Sequence, residues 1–430
     1  MLLKRIQLGL IHVAVAMTLV PINSTLNRVM INELAISATV VAMLASLPYL
    51  FAPMQVAIGA YSDRHPVFGL RRTPYIVLGL ILCVTGVIIS PLAAYSLASG
   101  NLWGYLIAVL AFGAWGMGYN LSSVSYLSLA DDISKENERG KTIAVMWFMM
   151  IVGIIFTAIA ISRMVDPYTP AALEKSFLVV GGTALILGLL GLIRLEPASS
   201  GLPNSRPYTI KEMTSAITAN PVAKLFFIYL WLLLAAILGQ DILLEPFGAQ
   251  AFGMTVRETT RITSLWGVFV LAAILLAGAL EGRIPRRSMA QTGNIGALLG
   301  FLVIIASGVM GSLSIFYTGV ALLGIGTGLS TVANLSLMFD LTVPEKVGLF
   351  IGAWGLSNAL SRLTGSVLGG VVRDVVTQVT GAPLSGYMVV FGIEAGLMVV
   401  AILMLSRIDV ASFRRQAEAP SVFERAAMTD

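Results

Sequence analysis

The chain has 430 residues, of which 57% are hydrophobic and only 11% are charged, and its mean hydropathy is +0.88. Soluble globular proteins carry about a quarter charged residues, so the composition excludes a soluble protein and indicates one that crosses a membrane many times. The net charge of +5 reflects where the basic residues lie along the chain and does not indicate nucleic-acid binding.

Long apolar runs recur along the chain, each near the roughly 20 residues that a helix needs to cross a bilayer. They predict twelve membrane-spanning helices and lack the alternating pattern of a membrane barrel. The predicted spans one to twelve are 6–30, 38–61, 73–95, 102–127, 142–164, 177–193, 222–244, 262–280, 290–309, 315–339, 347–371 and 385–405.

The basic residues predict the orientation. Most of the 27 Lys and Arg residues fall in segments that share a side with the two termini, and basic segments stay in the cytoplasm. We therefore expect both termini in the cytoplasm. The first apolar run follows Lys4 and Arg5 as in a signal peptide, but no small-residue cleavage site follows it, so we interpret it as an uncleaved helix.

The sequence is duplicated. "GMGYNLSSVSYLSLADDISKENERGK" matches "GIGTGLSTVANLSLMFDLTVPEKVGL" at a constant offset, which aligns Asp132 with Asp340. The duplication predicts a first six-helix half, a cytoplasmic linker, a second six-helix half and a cytoplasmic tail. Their boundaries are 1–194, 195–221, 222–406 and 407–430. The linker is rich in Pro, Ser and Asn, and its 210–219 part is either a short interfacial helix or plain linker.

Two carboxylates interrupt the apolar run of span seven. In "GQDILLEPFG", Asp241 and Glu245 are four residues apart, which puts both on one face of a helix. Glu245 lies about 30 Å from Lys224 at the cytoplasmic edge, and ionisable groups inside a membrane are usually functional. Arg28 has the equivalent position in span one. We expect an outer gate in which Arg28 pairs with Asp241 or Glu245; alternatively, each side chain extends separately to the membrane surface.

Other polar residues lie within predicted spans. His12 is in span one and Asn120 in span four, and a lone histidine there is more typical of a helix–helix hydrogen bond than of a ligand. Arg362 of span eleven is expected to neutralise Glu394 of span twelve as a buried charge pair. The sequence contains no Walker motif, catalytic Ser/His/Asp set or metal-ligand cluster, so we expect neither ATP-driven transport, nor an enzyme, nor a metal site. The single cysteine, Cys83, excludes an intramolecular disulfide.

The loop after span two contains Gly59, an Asp63-Arg64 pair and the arginines Arg71 and Arg72. It resembles the signature loop of the major facilitator superfamily. That resemblance implies an all-α membrane protein with 12 transmembrane helices in two pseudo-symmetric six-helix halves. It also implies a cytoplasmic latch, in which these charges pair in one state and separate in the other; the alternative is that the arginines only fix the topology.

Three stretches, "TLNRVMINEL", "GAYSDRHPVFGLRRTPYI" and "GQDILLEPFGAQAFGM", together resemble the PucC/LhaA family over essentially the whole chain. This family is the bacteriochlorophyll-delivery branch of that superfamily. The resemblance implies a membrane assembly factor of a phototrophic bacterium, in the inner or thylakoid membrane. Such a factor carries chlorophyll or bacteriochlorophyll to light-harvesting or photosystem proteins, with pigment-synthesis enzymes as further partners. The segment 131–147 resembles cyanobacterial-type members, for which the pigment would be chlorophyll.

Chlorophyll magnesium takes an oxygen or nitrogen axial ligand, directly or through a water molecule. The candidate residues for binding pigment or substrate are Gln240, Asp241, Glu245, Asn27, Asn120 and His12. The apolar ring system would need an aromatic, methionine-rich wall, for which the candidates are Trp115, Tyr119, Trp147, Phe148, Met149, Met150 and Trp266. Any one of these is also an ordinary packing residue.

A second function is compatible with the same residues. A proton-coupled secondary transporter of a small solute would use Asp241 and Glu245 as protonation sites. The chain has only two histidines, which argues against a stable antenna with many pigments and favours transient binding. A purely structural role in a larger complex is compatible with pigment delivery, and the oligomeric state is left open.

Overall fold

The computed structural model describes residues 2–134, 138–197, 220–341 and 347–408, together with residues 212, 215, 217 and 218. The side chains at 56, 57, 59, 60, 63, 339 and 347–354 lie outside this description, although their backbone is helical. The Asp63 side chain of the predicted latch, most of the predicted linker and the predicted tail beyond residue 408 therefore lie outside the description, and of Gly59 only the helical backbone is described.

Helices make up nearly all of the described chain. In order they are Leu2–Met17, Pro21–Leu26 and Val29–Glu33 (both π-helical), Ala38–Ala45, Leu47–Leu50, Met54–Arg64, Thr73–Ala98, Leu102–Ile133, Arg139–Met164, Pro170–Leu192, Pro221–Gly239, Gln240–Ile242 (3-10), Leu244–Phe252, Val256–Ala279, Arg286–Met310, Leu313–Asp340, Val347–Thr380 and Pro383–Leu405.

Ten helical runs in the described ranges are long and apolar enough to cross a membrane. They correspond to all predicted spans except two and eleven. Span two is divided into three short helices around Pro48 and Pro53, because proline lacks a backbone N–H and clashes with the preceding turn. Span eleven is the helix Val347–Thr380. The predicted count of twelve is thus confirmed for ten spans.

Successive spans run in opposite directions. We call the side where span one begins and span twelve ends the terminal side, and the opposite side the distal side. Even-numbered spans begin on the distal side, where the first backbone N–H groups of a helix lack intrahelical partners. Side-chain oxygens accept these N–H groups at the starts of four even spans; the capping residues are Ser37, Asn101, Thr169 and Thr255.

Small residues let the third and fourth spans of each half approach closely. A Cβ added at Gly118 would lie 2.5 Å from both the Cys83 nitrogen and the Gly79 carbonyl oxygen. In the second half, a Cβ at Gly326 would lie 2.7 Å from the Gly293 carbonyl oxygen. The duplicated motif therefore corresponds to a duplicated helix crossing, in which the glycines allow backbone-to-backbone contact.

Spans one and seven are both irregular in their distal parts. Span one continues from Pro21 as two π-helical turns, and the 3-10 turn Gln240–Ile242 interrupts span seven. Interrupted helices within a membrane occur where the backbone is buried in protein or lines a cavity, and π-helical turns are frequent at functional sites. Asn27 and Arg28 lie between the two π-helical turns, and Gln240 and Asp241 lie in the 3-10 turn.

The helix crossing gives a stability prediction. Gly118→Ala should lower the thermal unfolding temperature in detergent by the equivalent of about 1–3 kcal/mol, because its methyl group would overlap backbone atoms of span three. Gly113→Ala is the matched control on the same helix, since a Cβ there meets nothing within 4 Å. Equal unfolding temperatures for the two variants would contradict the close crossing.

Candidate binding site between the two halves

Span seven supplies the central polar cluster. Gln240 and Asp241 lie in the 3-10 turn, and Glu245 lies in the first turn of the next helix. The Gln240 side-chain nitrogen donates to Asp241 Oδ1 at 3.0 Å and to the Ile237 carbonyl at 3.4 Å. Because the 3-10 turn interrupts the helix, Asp241 and Glu245 do not share one helical face, as the sequence predicted, and they contact different neighbours.

Asp241 pairs with Arg362 of span eleven, with a nitrogen–oxygen distance of 3.1 Å. The Arg362 guanidinium also lies 5.4 Å from the centroid of the Tyr49 ring, a cation–π geometry. The two charged side chains remain 26% and 27% exposed. This pair is therefore the accessible part of the cluster, and Tyr49 of span two adds a contact from the first half.

The expected Arg362–Glu394 pair is not what the structure shows. Glu394 is 4% exposed, and it has no ion pair among the described residues. It lies against span seven at Gly239, where an added Cβ would be 3.1 Å from its Oε1. Glycine at this position lets Glu394 approach span seven beside Asp241, and Asp241 rather than Glu394 receives the guanidinium.

The expected pairing of Arg28 with Asp241 or Glu245 is also corrected. Arg28 pairs with Glu33 of the same span, because the π-helical turn brings a residue five positions later onto the same side. Arg28 still contacts the other half, since its guanidinium donates to the Met254 carbonyl at 3.1 Å. Its contribution to closure is thus a hydrogen bond rather than an ion pair between the halves.

Glu245 is bound by hydroxyl groups from both halves. Its Oε1 accepts hydrogen bonds from Ser24 of span one and Thr263 of span eight, both at 2.5 Å. One turn away, the hydroxyls of Thr25 and Thr260 lie 3.1 Å apart. All of these side chains except Thr263 are less than 5% exposed. Spans one, seven and eight are therefore sealed together on the distal side through hydroxyl contacts that sequence reasoning did not identify.

Asp374, at the distal end of span eleven, was also missed. Its carboxylate accepts the backbone N–H groups of Ala38 and Thr39 at 3.2 and 2.8 Å and the hydroxyls of Ser37 and Thr39, both at 2.7 Å. Arg373 donates to it at 2.9 Å. The charged dipeptide Arg373-Asp374 after an apolar run indicates a functional group at this helix end. The sequence could not show that the partner of Asp374 is the start of span two.

Asn120 has a structural role in this conformation. Its side-chain nitrogen donates to the carbonyls of Pro48 and Gly116 at 2.7 and 2.8 Å, and its oxygen accepts from Gln55. The Pro48 carbonyl is available because span two is broken there. Asn120 therefore bridges the break, and its polar atoms are already engaged.

His12 lies in a different environment, in the terminal part of span one. It is 6% exposed, and its ring centroid is 5.1 Å from that of Tyr126 and 6.1 Å from that of Trp147. Trp115, another of the predicted wall residues, is fully buried, and its indole N–H donates to the Thr18 hydroxyl at 3.2 Å. The imidazole thus has aromatic neighbours from spans four and five, of which Trp147 is a predicted wall residue and Tyr126 is not.

Four of the predicted ligand residues carry a buried acceptor that no hydrogen-bond donor in the described ranges reaches. These atoms are Asn27 Oδ1, Gln240 Oε1, Glu245 Oε2 and His12 Nδ1. An unpaired buried polar atom costs about 1–3 kcal/mol. Fourteen other buried side-chain atoms in the described ranges also have no hydrogen-bond partner, so the four atoms show only that these residues have a polar atom available to a ligand or a water.

The predicted latch region is ordered around Arg72. The Arg72 guanidinium lies 3.4 Å from Asp132 and donates to Ser62 at 2.9 Å, while Arg64 is exposed. The second half repeats the ion pair, since Arg286 lies 2.7 Å from Asp340. Each half therefore joins the start of its third span to the end of its fourth.

Glu196 adds a cap to this region. Its carboxylate accepts the backbone N–H groups of Arg71, Arg72 and Thr73 at 2.8, 2.9 and 2.7 Å. These groups begin span three and have no intrahelical acceptor. Ionised side chains thus connect the helix ends of the first half on the terminal side. The separation of these charges in another conformation stays a prediction.

The chain is similar to known membrane proteins over nearly its whole length. The model of the PUCC protein family matches residues 25–413. The chain is 33% identical to "Protein PucC" of Rhodobacter capsulatus, over 93% of this chain and 90% of the relative, and 33% identical to "Protein PucC" of Cereibacter sphaeroides, over 96% and 94%. It is 28% identical to the "Bacteriochlorophyll synthase 44.5 kDa chain" of R. capsulatus, over 98% of both chains.

Solved structures show the same fold. A bacterial homologue of the human lysosomal transporter Spinster, inward-facing and unoccupied, has a TM-score of 0.71 at 14% identity, covering 97% of this chain and 98% of the other. A mutant of the nucleoside transporter NupG has a TM-score of 0.72 at 13% identity, covering 94% and 99%. These identities carry no functional information, and the likeness confirms the expected all-α, major facilitator type of fold.

Asp374 gives a conformational prediction. In a Cys83→Ser background, a cysteine placed at the fully buried Val29 reports opening of the distal interface to a membrane-impermeant thiol reagent. Asp374→Ala should raise its labelling rate about tenfold, because hydrogen bonds to a charged group contribute roughly 1.5–3 kcal/mol. Glu174→Ala, an exposed distal carboxylate, is the control. Unchanged labelling in Asp374→Ala would contradict its role in closure.

The central pair gives a second prediction. Arg362→Gln should lower stability by about 1–3 kcal/mol, because it leaves Asp241 without its cation beside Glu394. Adding Asp241→Asn should recover part of the loss, which a double-mutant cycle in thermal unfolding would measure. Strictly additive losses in the two single variants and the double variant would show that the pair does not contribute as a pair.

Proposed function

Because the chain belongs to the PUCC protein family, we propose that it is a membrane assembly factor that binds chlorophyll, bacteriochlorophyll or a related tetrapyrrole and delivers it to light-harvesting or photosystem proteins. It is an integral membrane protein with the fold of facilitator-type transporters. One relative is named as a bacteriochlorophyll synthase chain, which supports the pigment class.

The observation that carries the proposal is the set of unpaired buried acceptors at Asn27, Gln240, Glu245 and His12. The magnesium of a chlorophyll is a hard cation that needs one axial oxygen or nitrogen ligand. A single amide oxygen or imidazole nitrogen satisfies this need without the multi-residue site that a free metal ion requires. The acceptors therefore fit the magnesium chemistry of the cargo, either directly or through a ligating water.

The four acceptors fall into two separate groups, His12 alone and Asn27 with Gln240 and Glu245 of span seven. His12 and Asn27 are 15 residues apart, about 22 Å at the rise of a regular helix, so they would not ligate the same magnesium. The Asn27 region faces span seven between the two halves, and His12 faces spans four and five within the first half. In the proposal one of them is the pigment site, and substitution decides which.

The site between the halves is reached when they separate. Asn27, Gln240 and Glu245 are at most 3% exposed, whereas the Asp241–Arg362 pair is about a quarter exposed. In the proposal a ligand first meets this pair, and the buried acceptors become available as the hydroxyl contacts around Glu245 open. Binding is then coupled to a change in conformation, as in facilitator-type transporters.

We propose the inner, photosynthetic or thylakoid membrane of a phototrophic bacterium as the location, with both termini in the cytoplasm. The excess of basic residues on the terminal side supports this orientation. Antenna or photosystem subunits would receive the pigment there, and pigment-synthesis enzymes would supply it.

The test is an absorption spectrum of the full chain, purified in mild detergent from a chlorophyll-making host. We expect a red absorbance band at a fixed ratio to protein. Gln240→Leu should reduce that ratio several-fold if the site lies between the halves, since the axial ligand is lost. His12→Leu should do so instead if the site lies within the first half.

Matched controls are available for both variants. Gln250→Leu replaces an exposed glutamine of the same span, and His65→Leu replaces the exposed loop histidine; both should keep the wild-type ratio. A colourless wild-type protein from a gentle extract of a pigmented host would refute pigment carriage. Proton-coupled uptake of a small solute by proteoliposomes would then become the function to measure.

A further inference from the structure

An open apolar groove of about 520 Å³ lies along the seam between the two halves. Its walls are Ile155 and Ile159 of span five and Leu265 and Val268 of span eight, and Tyr317 of span ten contributes from the side. Val268 is 49% exposed. The volume falls within the range of about 300–1,000 Å³ typical of ligand sites, and the walls are hydrocarbon.

The groove lies in the distal leaflet. Arg261, also part of its lining, is five residues into Val256–Ala279, and Tyr317 is four residues into Leu313–Asp340. At a helix rise of 1.5 Å per residue, both side chains are about 6–8 Å from the distal helix ends. This depth corresponds to the boundary between headgroups and hydrocarbon chains.

Two cations without ion pairs flank the distal end of the groove. Arg261 contacts no carboxylate in the described ranges, whereas Arg257, one turn earlier, pairs with Asp166. Arg163 follows Ile159 by four residues, so it lies one turn further along the same face of span five, and no described carboxylate pairs with it either.

The nearby acidic group is already engaged. The Glu258 carboxylate accepts the backbone N–H of Thr255 at 2.8 Å and its hydroxyl at 3.0 Å, in the capping box of span eight. Glu258 therefore caps the start of span eight and forms no ion pair with Arg261, whose guanidinium is available to an anion. An anion placed above a hydrocarbon groove has the chemistry of an anionic lipid.

We propose that the groove binds an anionic phospholipid of the distal leaflet, with an acyl chain between spans five and eight and the phosphate at Arg261 and Arg163. The phenol of Tyr317 lies at the same depth and suits a headgroup oxygen. This site is separate from the proposed pigment site and does not depend on it.

Because the walls come from both halves, the lipid bridges them. The floor of the groove is a direct contact between the halves, where the Ser264 hydroxyl lies 3.4 Å from the Ile155 carbonyl. Separation of the halves on the distal side would pull the walls apart. A lipid in the groove therefore favours the distal-closed conformation described here.

The test uses the purified full chain and native mass spectrometry with added phosphatidylglycerol or phosphatidylcholine of the same acyl chains. Wild type should retain phosphatidylglycerol at least about threefold more than phosphatidylcholine. Arg261→Gln should reduce phosphatidylglycerol binding about three- to tenfold, the range expected for loss of a charge-assisted contact. Lys175→Gln, an exposed cation five residues into span six and outside the groove, should leave it unchanged.

A second variant tests the hydrocarbon part. Val268→Trp should fill the groove while leaving both arginines in place, and it should reduce phosphatidylglycerol binding to the level of Arg261→Gln. Unfolding temperatures near wild type would show that the variants are folded. Equal retention of the two lipids by wild type, or equal effects of Arg261→Gln and Lys175→Gln, would overturn the proposal and indicate general lipid contact only.

Discussion

Closure on the distal side depends on Asp374, a carboxylate of the second half that accepts the first backbone N–H groups of span two in the first half. The first N–H groups of any helix need acceptors from outside the helix, and in span two Asp374 supplies them for Ala38 and Thr39. Since the acceptor belongs to span eleven, the N–H groups of Ala38 and Thr39 have this carboxylate as partner only while the halves are together. The remaining distal contacts, around Glu245 and Arg28, are consistent with the same closed arrangement.

Properties that repeat along the chain could be predicted from the sequence. Hydropathy gave the spans, and the duplicated motif predicted equivalent halves, which the structure shows in the ion pairs Arg72–Asp132 and Arg286–Asp340. The specific partners of Arg28 and Arg362 could not be predicted. Regular helices would bring the expected partners together, whereas the π-helical and 3-10 turns change which side chains share a face. The capping of span two by Asp374 depends on how spans two and eleven pack against each other. A single sequence does not show which distant spans are in contact.

Spans seven and twelve carry three carboxylates inside the molecule, and each is accommodated differently. Asp241 has the guanidinium of Arg362, Glu245 has two hydroxyl groups, and Glu394 lies against a glycine of span seven. Charge alone therefore does not hold the cluster together. A region whose hydrogen bonds are partly unsatisfied in one conformation has more to gain from a ligand or from rearrangement than a fully paired core.

The break in span two has a mechanical consequence. Its distal piece, Ala38–Ala45, is attached to span eleven through Asp374, whereas the bonds of Asn120 attach the broken region around Pro48 to span four. A continuous rod would transmit every displacement of one end to the other. Span two is instead interrupted around Pro48, so a displacement of its distal piece with the second half need not be transmitted to the terminal piece, whose Gln55 is bound to Asn120 of the first half.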